Sequence, residues 1–295
     1  MNEYKEKAIL KLKEMTEKEL GKAIAITEKT RNNGVKKTYF YLPELRLSGK
    51  PTPIISIDDG IDAILDGDIT INEAVRQLVG HFKNSLDFEF EDPTVEQILE
   101  GVQFELINVE KNKEKLEQVP YLLFWDMAAT YRVFLKETHS FLISNKVMEK
   151  MGLTSKQLEA AAKKNIKKTE YCFKSIVDIL AESMEKDGLE VPASMIEEMK
   201  KDAEMYVLRG KYPNGASFLM FPEIFEDFAD EKEADLYIIP SSLCELIVLP
   251  VTVARGSRDL KEVVKECNGM IEEDIVLCDH VFRYSRKYKN ITIAK

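Results

Sequence analysis

The pattern of apolar and polar positions predicts a chain in which helices alternate with short strands. Residues 3–20 carry apolar side chains at helical spacing, which indicates an amphipathic helix. Two strand-like runs then flank Asn33-Gly34, and this dipeptide between such runs is a strong signal for a β-hairpin. The elements that follow are a strand at 53–57, helices at 70–83 and 93–100, and an alternating strand at 102–109. Together they predict an N-terminal α+β unit at residues 1–115.

The same pattern predicts a second α+β unit at residues 116–295, joined to the first by a polar hinge at 111–118. A helix should begin after Thr154, because Thr154 and Gln157 have the spacing of a capping box. Strands are predicted at 121–135, 139–144, 205–208, 217–221, 236–239, 246–249, 280–286 and 291–294, and further helices at 170–186, 193–204 and 258–268. The fold class is therefore α+β, with short antiparallel sheets and packed helices in two units.

Composition and charge narrow the functional classes. The 295 residues are 44% hydrophobic, which is enough for a packed core. The net charge of −10 argues against a general nucleic-acid binder, because an acidic protein repels phosphate. We expect no secretory signal, because the N-terminal stretch is charged throughout and has no apolar h-region. We expect no membrane contact, because no apolar run approaches the roughly 20 residues of a membrane span. Four scattered cysteines are typical of a reducing cytoplasm, where we expect the protein.

Residues 62–73 come close to the pattern of a calcium-binding loop. The third position of that pattern is Ile64, which offers no oxygen ligand. The alternative explains the same residues without a metal. Gly67 would end one helix, and Thr70 with Glu73 would form the capping box that begins the next. We favour this second interpretation.

The tightest group of potential zinc ligands is Cys278-Asp279-His280. Zinc usually takes about four ligands from closely spaced pairs. On a strand, Cys278 and His280 would share a face and supply half a site, and the sequence shows no second half. We therefore predict no metal. Because the chain also has no nucleotide-binding signature, we expect no cofactor.

The turn at 241–245 lies between two apolar runs and gathers several reactive groups. These belong to Ser241, Ser242, Cys244 and Glu245. The first interpretation is a structural corner, in which Ser242 and Glu245 form a capping box around one helical turn. The second is a hydrolase-type site, in which a nucleophile of this turn works with Asp279 or His280. We favour the corner, because the chain carries no hydrolase signature.

Charge is segregated in the C-terminal half. Residues 222–235 contain seven acidic side chains, whereas 283–295 contain five basic side chains and two interleaved tyrosines. Residues 163–168 add four lysines. Basic residues among aromatic ones can bind nucleic acid, which keeps a nucleic-acid-associated protein as an alternative. The simpler interpretation is a solvated strand and a solvated helix face.

Several stretches resemble a family of unknown function that is common in anaerobic Gram-positive gut bacteria. The resemblance lies in the sequences at 109–128, 158–166, 206–208, 214–216 and 240–242, so it covers most of the chain. It implies no established activity. Since no catalytic signature is visible, we expect a non-catalytic binding or interaction protein with a protein or small-molecule partner. A hydrolase with a site at 241–245 is the alternative.

Overall fold

The structure is a computed structural model. It describes residues 3–47, 54–86, 92–136, 139–186, 188–189, 191–253 and 257–294. The chain divides into two compact units, Met1–Asp92 and Pro93–Lys295. The predicted class is confirmed, since both units combine helices with short antiparallel sheets. No helix in the described ranges combines the length and the apolar character that crossing a bilayer requires.

The first unit builds its core between helices and a three-stranded sheet. Its elements are α1 (Glu3–Leu20), β1 (Ala25–Thr30), β2 (Lys36–Tyr41), α2 (Pro43–Leu47), β3 (Ile54–Ser56), α3 (Asp58–Asp66) and α4 (Ile71–Leu86). The strands lie in the order β1-β2-β3. Leu12 of α1, Phe40 of β2, Ile61 of α3 and Phe82 of α4 are fully buried and belong to one apolar cluster. The sheet is thus held by helices that the apolar periodicity predicts.

Two local predictions for this unit are confirmed. The β1–β2 hairpin turns through Asn33 and Gly34, which both have the positive φ angles that these residue types tolerate. Gly67 ends α3 in the left-handed conformation, with φ of 84°. The carboxylate of Glu73 then accepts the amide hydrogen of Thr70 at 2.7 Å, and the amide of Glu73 donates to the Thr70 hydroxyl at 3.3 Å. Residues 62–66 are therefore helical and not part of a calcium loop.

The second unit begins with a sheet centred on one long strand. Its elements are α5 (Val95–Gly101), β4 (Val102–Asn108), α6 (Lys113–Leu116), β5 (Tyr121–Phe124), β6 (Met127–Lys136) and β7 (His139–Leu142). Strand β6 pairs antiparallel with β4, β5 and β7. The predicted boundary at 115/116 lies inside this unit, because β4 and β6 pair across it. The single strand predicted at 121–135 is two strands, joined by a tight turn at Trp125-Asp126.

A six-stranded antiparallel sheet forms the rest of the second unit. The elements are α7 (Asn145–Lys150), α8 (Ser155–Ile166), β8 (Tyr171–Ser175), α9 (Ile176–Lys186), α10 (Ala193–Asp202), β9 (Tyr206–Gly210), α11 (Glu226–Glu231), β10 (Leu236–Pro240), β11 (Glu245–Pro250), α12 (Ser257–Asn268), β12 (Phe282–Ser285) and β13 (Asn290–Ile293). The strand order is β13-β12-β10-β11-β9-β8. Leu246 on the inner strand β11 is completely buried, as the two apolar runs predict. The capping box of Thr154 and Gln157 is also confirmed.

Two element predictions are wrong. The helix predicted at 170–186 begins only at Ile176, because Tyr171–Ser175 forms strand β8 against β9 and stacks Phe173 on Phe228. The strand predicted at 217–221 is a buried 3-10 helix, Gly215–Met220. Both errors have one cause. A short apolar run does not distinguish a buried strand from a buried helical turn, and tertiary contacts decide between them.

Candidate functional site

The turn at 241–245 is an extended corner and not a helical turn. The Ser242 hydroxyl accepts the amide hydrogen of Cys244 at 3.1 Å, and this local hydrogen bond between residues two apart closes a bend. Glu245 already belongs to β11. The predicted capping box between Ser242 and Glu245 is therefore wrong. The Ser242 hydroxyl accepts from the amide of Cys244, whereas a capping box requires it to accept from the amide of Glu245.

The corner is fixed by close backbone packing against Gly215. The Gly215 amide donates to the Cys244 carbonyl at 3.0 Å, and the Leu243 amide donates to the Ile275 carbonyl at 3.1 Å. A Cβ atom on Gly215 would lie 2.3 Å from the Cys244 carbonyl oxygen, closer than atoms can approach. Any side chain at this position would force the corner to move, so the close approach favours glycine.

The carboxylate of Glu245 is occupied by an ion pair. Arg209 faces Glu245 across the β9–β11 ladder and donates from Nε to Oε2 at 2.6 Å. Ser241 also lies near, with its hydroxyl 3.4 Å from Oε1. Cross-strand pairs of opposite charge stabilise a sheet. Glu245 is therefore engaged in holding the corner, which does not favour a role as a general base.

The thiol of Cys244 has the wrong electrostatics for a nucleophile. Its pKa is raised, first by burial and then by the negative charges of Glu245 and Glu105. The hydrogen bond with Ser242 and the charge of Arg209 oppose this shift without cancelling it. A raised pKa leaves less thiolate, and the thiolate is the reactive form.

We expect Cys244 to react slowly with iodoacetamide near neutral pH. Cys244 is itself exposed, and the exposed thiols of Cys172 and Cys267 supply an internal reference of the same burial class within the same chain. Labelling followed residue by residue with mass spectrometry should modify both before Cys244. Glu245→Gln should accelerate the labelling of Cys244, because it removes one of the charges that oppose the thiolate. Preferential labelling of Cys244 in the parent protein would contradict this account of the corner.

The other predicted site residues lie elsewhere. His280 Nε2 is 3.0 Å from Asp126 Oδ2, in the turn between β5 and β6. Asp279 Oδ1 accepts a hydrogen bond from Asn268 at 2.8 Å. In the part of the chain that the structure describes, no hydrogen bond or ion pair joins either residue to the 241–245 turn. No contact in the described residues therefore supports the hydrolase arrangement of that turn with Asp279 or His280, which stays a prediction.

The Cys278-Asp279-His280 segment does not form half a zinc site on a strand. It precedes β12 and is irregular, so the expectation of a shared strand face is wrong. Burial raises the pKa of the Cys278 thiol to about 12. Within the described ranges, no group of three or more potential metal ligands comes together.

The acidic segment 222–235 neutralises part of the basic segment 283–295. Salt bridges join Arg283 to Asp235 at 2.8 Å, Arg286 to Asp230 at 3.0 Å and Lys289 to Glu226 at 2.7 Å. The charge that would attract a phosphate is therefore balanced locally. This arrangement weakens the reason for a nucleic-acid footprint at the C-terminal strands.

A groove opens in the second unit where α5 and α8 meet β4. Helix α5 passes into β4 at Gly101, where a Cβ atom would come within 2.6 Å of the Phe134 carbonyl oxygen. The side-chain amide of Asn165 on α8 donates to the carbonyls of Leu99 and Val102, both at 2.9 Å. It thereby satisfies carbonyls that the end of α5 leaves without helical partners. These contacts fix the two helices beside a groove of about 890 Å³.

Gln103 of β4 forms the floor of this groove. It is 3% exposed, and the other lining residues are more exposed. Its Nε2 donates to the Thr169 hydroxyl at 3.2 Å, and that hydroxyl donates to the Asn165 carbonyl at 3.1 Å. Because Thr169 already uses its only proton, it can only accept from Gln103, and this fixes the orientation of the amide. The amide oxygen of Gln103 is left buried with no hydrogen-bond partner in the described structure.

The walls of the groove carry opposite charges. Helix α5 presents Glu96 and Glu100, which are one turn apart. Helix α8 presents Lys164, and Lys168 follows one turn later, just beyond the end of the helix. Glu170 and Lys211 add one charge of each sign. Three lysines and three glutamates thus line the groove together with Gln103.

Apart from Lys164 and Lys168, which belong to the lysine-rich stretch 163–168, the sequence analysis did not single out the residues of the groove. Gln103 and Glu105 are polar residues on the same face of β4, among apolar residues that run from Val102 to Ile107, and this was the available signal. Glu105 forms a two-armed ion pair with Arg132, which explains its burial. Only one of the two polar atoms of the Gln103 side chain has a hydrogen-bond partner, and that partner lies 66 residues away along the chain.

These features define the class, an α+β protein whose second unit carries an open groove with charged walls and a buried polar floor. Residues 1–286 match the model of DUF5688, a family of unknown function, and the chain belongs to this family. The predicted membership of a family of unknown function over most of the chain is thus confirmed. No curated protein matches the chain, and no solved structure matches it.

Proposed function

We propose that the second unit is a non-catalytic binding module and that the groove between α5 and α8 is its ligand site. The observation that carries the proposal is the amide oxygen of Gln103, a buried acceptor without a partner in the described structure, on a residue that lines the groove. Leaving such a group unsatisfied costs about 1–3 kcal/mol. A ligand that donates a hydrogen bond would recover this free energy.

The dimensions and the chemistry of the groove fit binding better than catalysis. Its volume of about 890 Å³ lies in the range of small-molecule sites. The Thr169 hydroxyl is committed to Asn165 and Gln103, which argues against its use as a nucleophile. The candidate catalytic groups of the 241–245 turn are not among the residues that line the groove. We propose a cytoplasmic location for this binding protein, and its four free cysteines support it.

A groove-filling substitution tests the proposal. Ala161 lines the groove on α8, and Ala160 is exposed on the same helix outside it. Small-molecule fragments from a screening library that bind the parent protein should raise the melting temperature of the full chain. Ala161→Phe should abolish this rise, because the phenylalanine ring fills the part of the groove that the fragments would occupy. Ala160→Phe is the matched control and should retain the stabilisation. Equal responses of both variants and the parent would contradict the groove as the ligand site.

A further inference from the structure

We propose that the groove binds a zwitterion of the amino-acid or short-peptide class, with its ammonium group on α5 and its carboxylate on α8. This inference rests on the proposed function of the groove and names the ligand. It starts from four side chains, Glu96, Glu100, Lys164 and Lys168. None of them forms an ion pair or a hydrogen bond with any other residue that the structure describes.

The lack of pairing across the groove is informative because pairing is common elsewhere in this unit. On α8 itself, Lys163 pairs with Glu159 one turn away, at 2.5 Å. Lys164 and Lys168 instead line the groove that the α5 carboxylates also line. A ligand that carries both charges would satisfy both walls at once, through charge-assisted hydrogen bonds.

The charge balance selects among the ligand classes. With three lysines and three glutamates, the lining has no net formal charge. A simple anion such as phosphate would be attracted by the lysines and repelled by an equal number of carboxylates. A simple amine would be attracted by the carboxylates and repelled by the lysines. A ligand with one group of each sign, separated in space, is favoured by both halves of the lining.

The floor of the groove adds a third requirement. The free amide oxygen of Gln103 needs a hydrogen-bond donor, and Gln103 lies on β4, which continues from the end of α5 and packs against α8. A peptide N–H or an ammonium hydrogen is such a donor. Leu99 and Ala161 give the groove apolar surface for a side chain. An amino acid or short peptide supplies all these groups in one molecule.

The experiment uses calorimetric titration of the full chain with alanine, dialanine, trialanine and tetra-alanine. These probes distinguish a free amino acid from a peptide. The best binder is then compared with its N-acetylated and its C-amidated forms. We expect each blocked form to bind roughly tenfold more weakly or worse, because each loses one charged hydrogen bond.

Variants assign each terminus to a wall. The double substitution of Glu96 and Glu100 to glutamine should weaken the binding of the free probe and leave the affinity for the N-acetylated form unchanged. The double substitution of Lys164 and Lys168 to glutamine should also weaken the binding of the free probe, and it should leave the affinity for the C-amidated form unchanged. Lys156→Gln, exposed on α8 outside the groove, is the control and should change neither.

The outcomes separate this inference from the function on which it rests. The blocked probes could bind as tightly as the free ones, with Ala161→Phe abolishing the binding of both. This result would overturn the proposal of a zwitterionic ligand and would leave the groove as the ligand site. No binding of any alanine probe, with fragments still bound in the groove, would also overturn the zwitterion. Fragments that bind outside the groove would overturn the proposed function itself.

Discussion

Replacing Leu246 with aspartate is expected to unfold the second unit. Leu246 is completely buried on β11, between its partners Leu208 on β9 and Pro240 on β10. Removing a buried leucine side chain costs about 2–5 kcal/mol, and burying an unpaired carboxylate adds a further penalty. The sum is comparable with the whole stability of a domain, about 5–15 kcal/mol.

The measurement is the thermal transition seen by tryptophan fluorescence. The chain has one tryptophan, Trp125, and it lies in the second unit, so its emission reports that unit. Leu123→Asp is the matched control, because Leu123 is 70% exposed and the same substitution should change the stability by about 0.5 kcal/mol or less. A Leu246→Asp protein that melts at the parent temperature would show that the six-stranded sheet is not the core of this unit.

Gly215→Ala is expected to have the second largest effect. The new Cβ atom would lie 2.3 Å from the Cys244 carbonyl oxygen, so the 241–245 corner must move away. That movement disrupts the hydrogen bond between the Gly215 amide and the same carbonyl. Overpacking of this kind costs about 1–3 kcal/mol, and the melting temperature of the unit should fall by roughly 3 to 10 °C.

Gly80→Ala provides the comparison for Gly215→Ala. Gly80 lies within helix α4, and a Cβ atom there would meet no other atom within 4 Å. Alanine in a helix interior should stabilise the first unit by about 0.5–1 kcal/mol, measured by circular dichroism. If Gly215→Ala is as well tolerated as Gly80→Ala, the close packing of the corner is not what holds it.

The elements that the sequence predicted well are those with local chemical signals. Asn33-Gly34 marks a hairpin and Thr154 with Gln157 begins a helix, because in each case neighbouring residues supply the required angles or hydrogen bonds. The same type of signal misled at Ser242 and Glu245. There the spacing of a capping box is present, but strand pairing with Arg209 holds Glu245 in β11.

The groove could not be predicted in the same way. Its floor depends on Thr169 and Asn165 meeting β4 and α5 from more than sixty residues away along the chain. Its walls are exposed charged helix faces, and in sequence these are the same as any solvated face. The four lysines at 163–168 were noted for their number, whereas the structure separates them into paired and unpaired side chains.

The most direct test of the binding proposal is to soak crystals of the full chain with a library of small-molecule fragments and to map the positions of the bound fragments by crystallography. The account predicts fragments in the groove between α5 and α8, with a donor atom at hydrogen-bonding distance from the amide oxygen of Gln103. Fragments bound at other surfaces of the second unit, with the groove left empty, would contradict it.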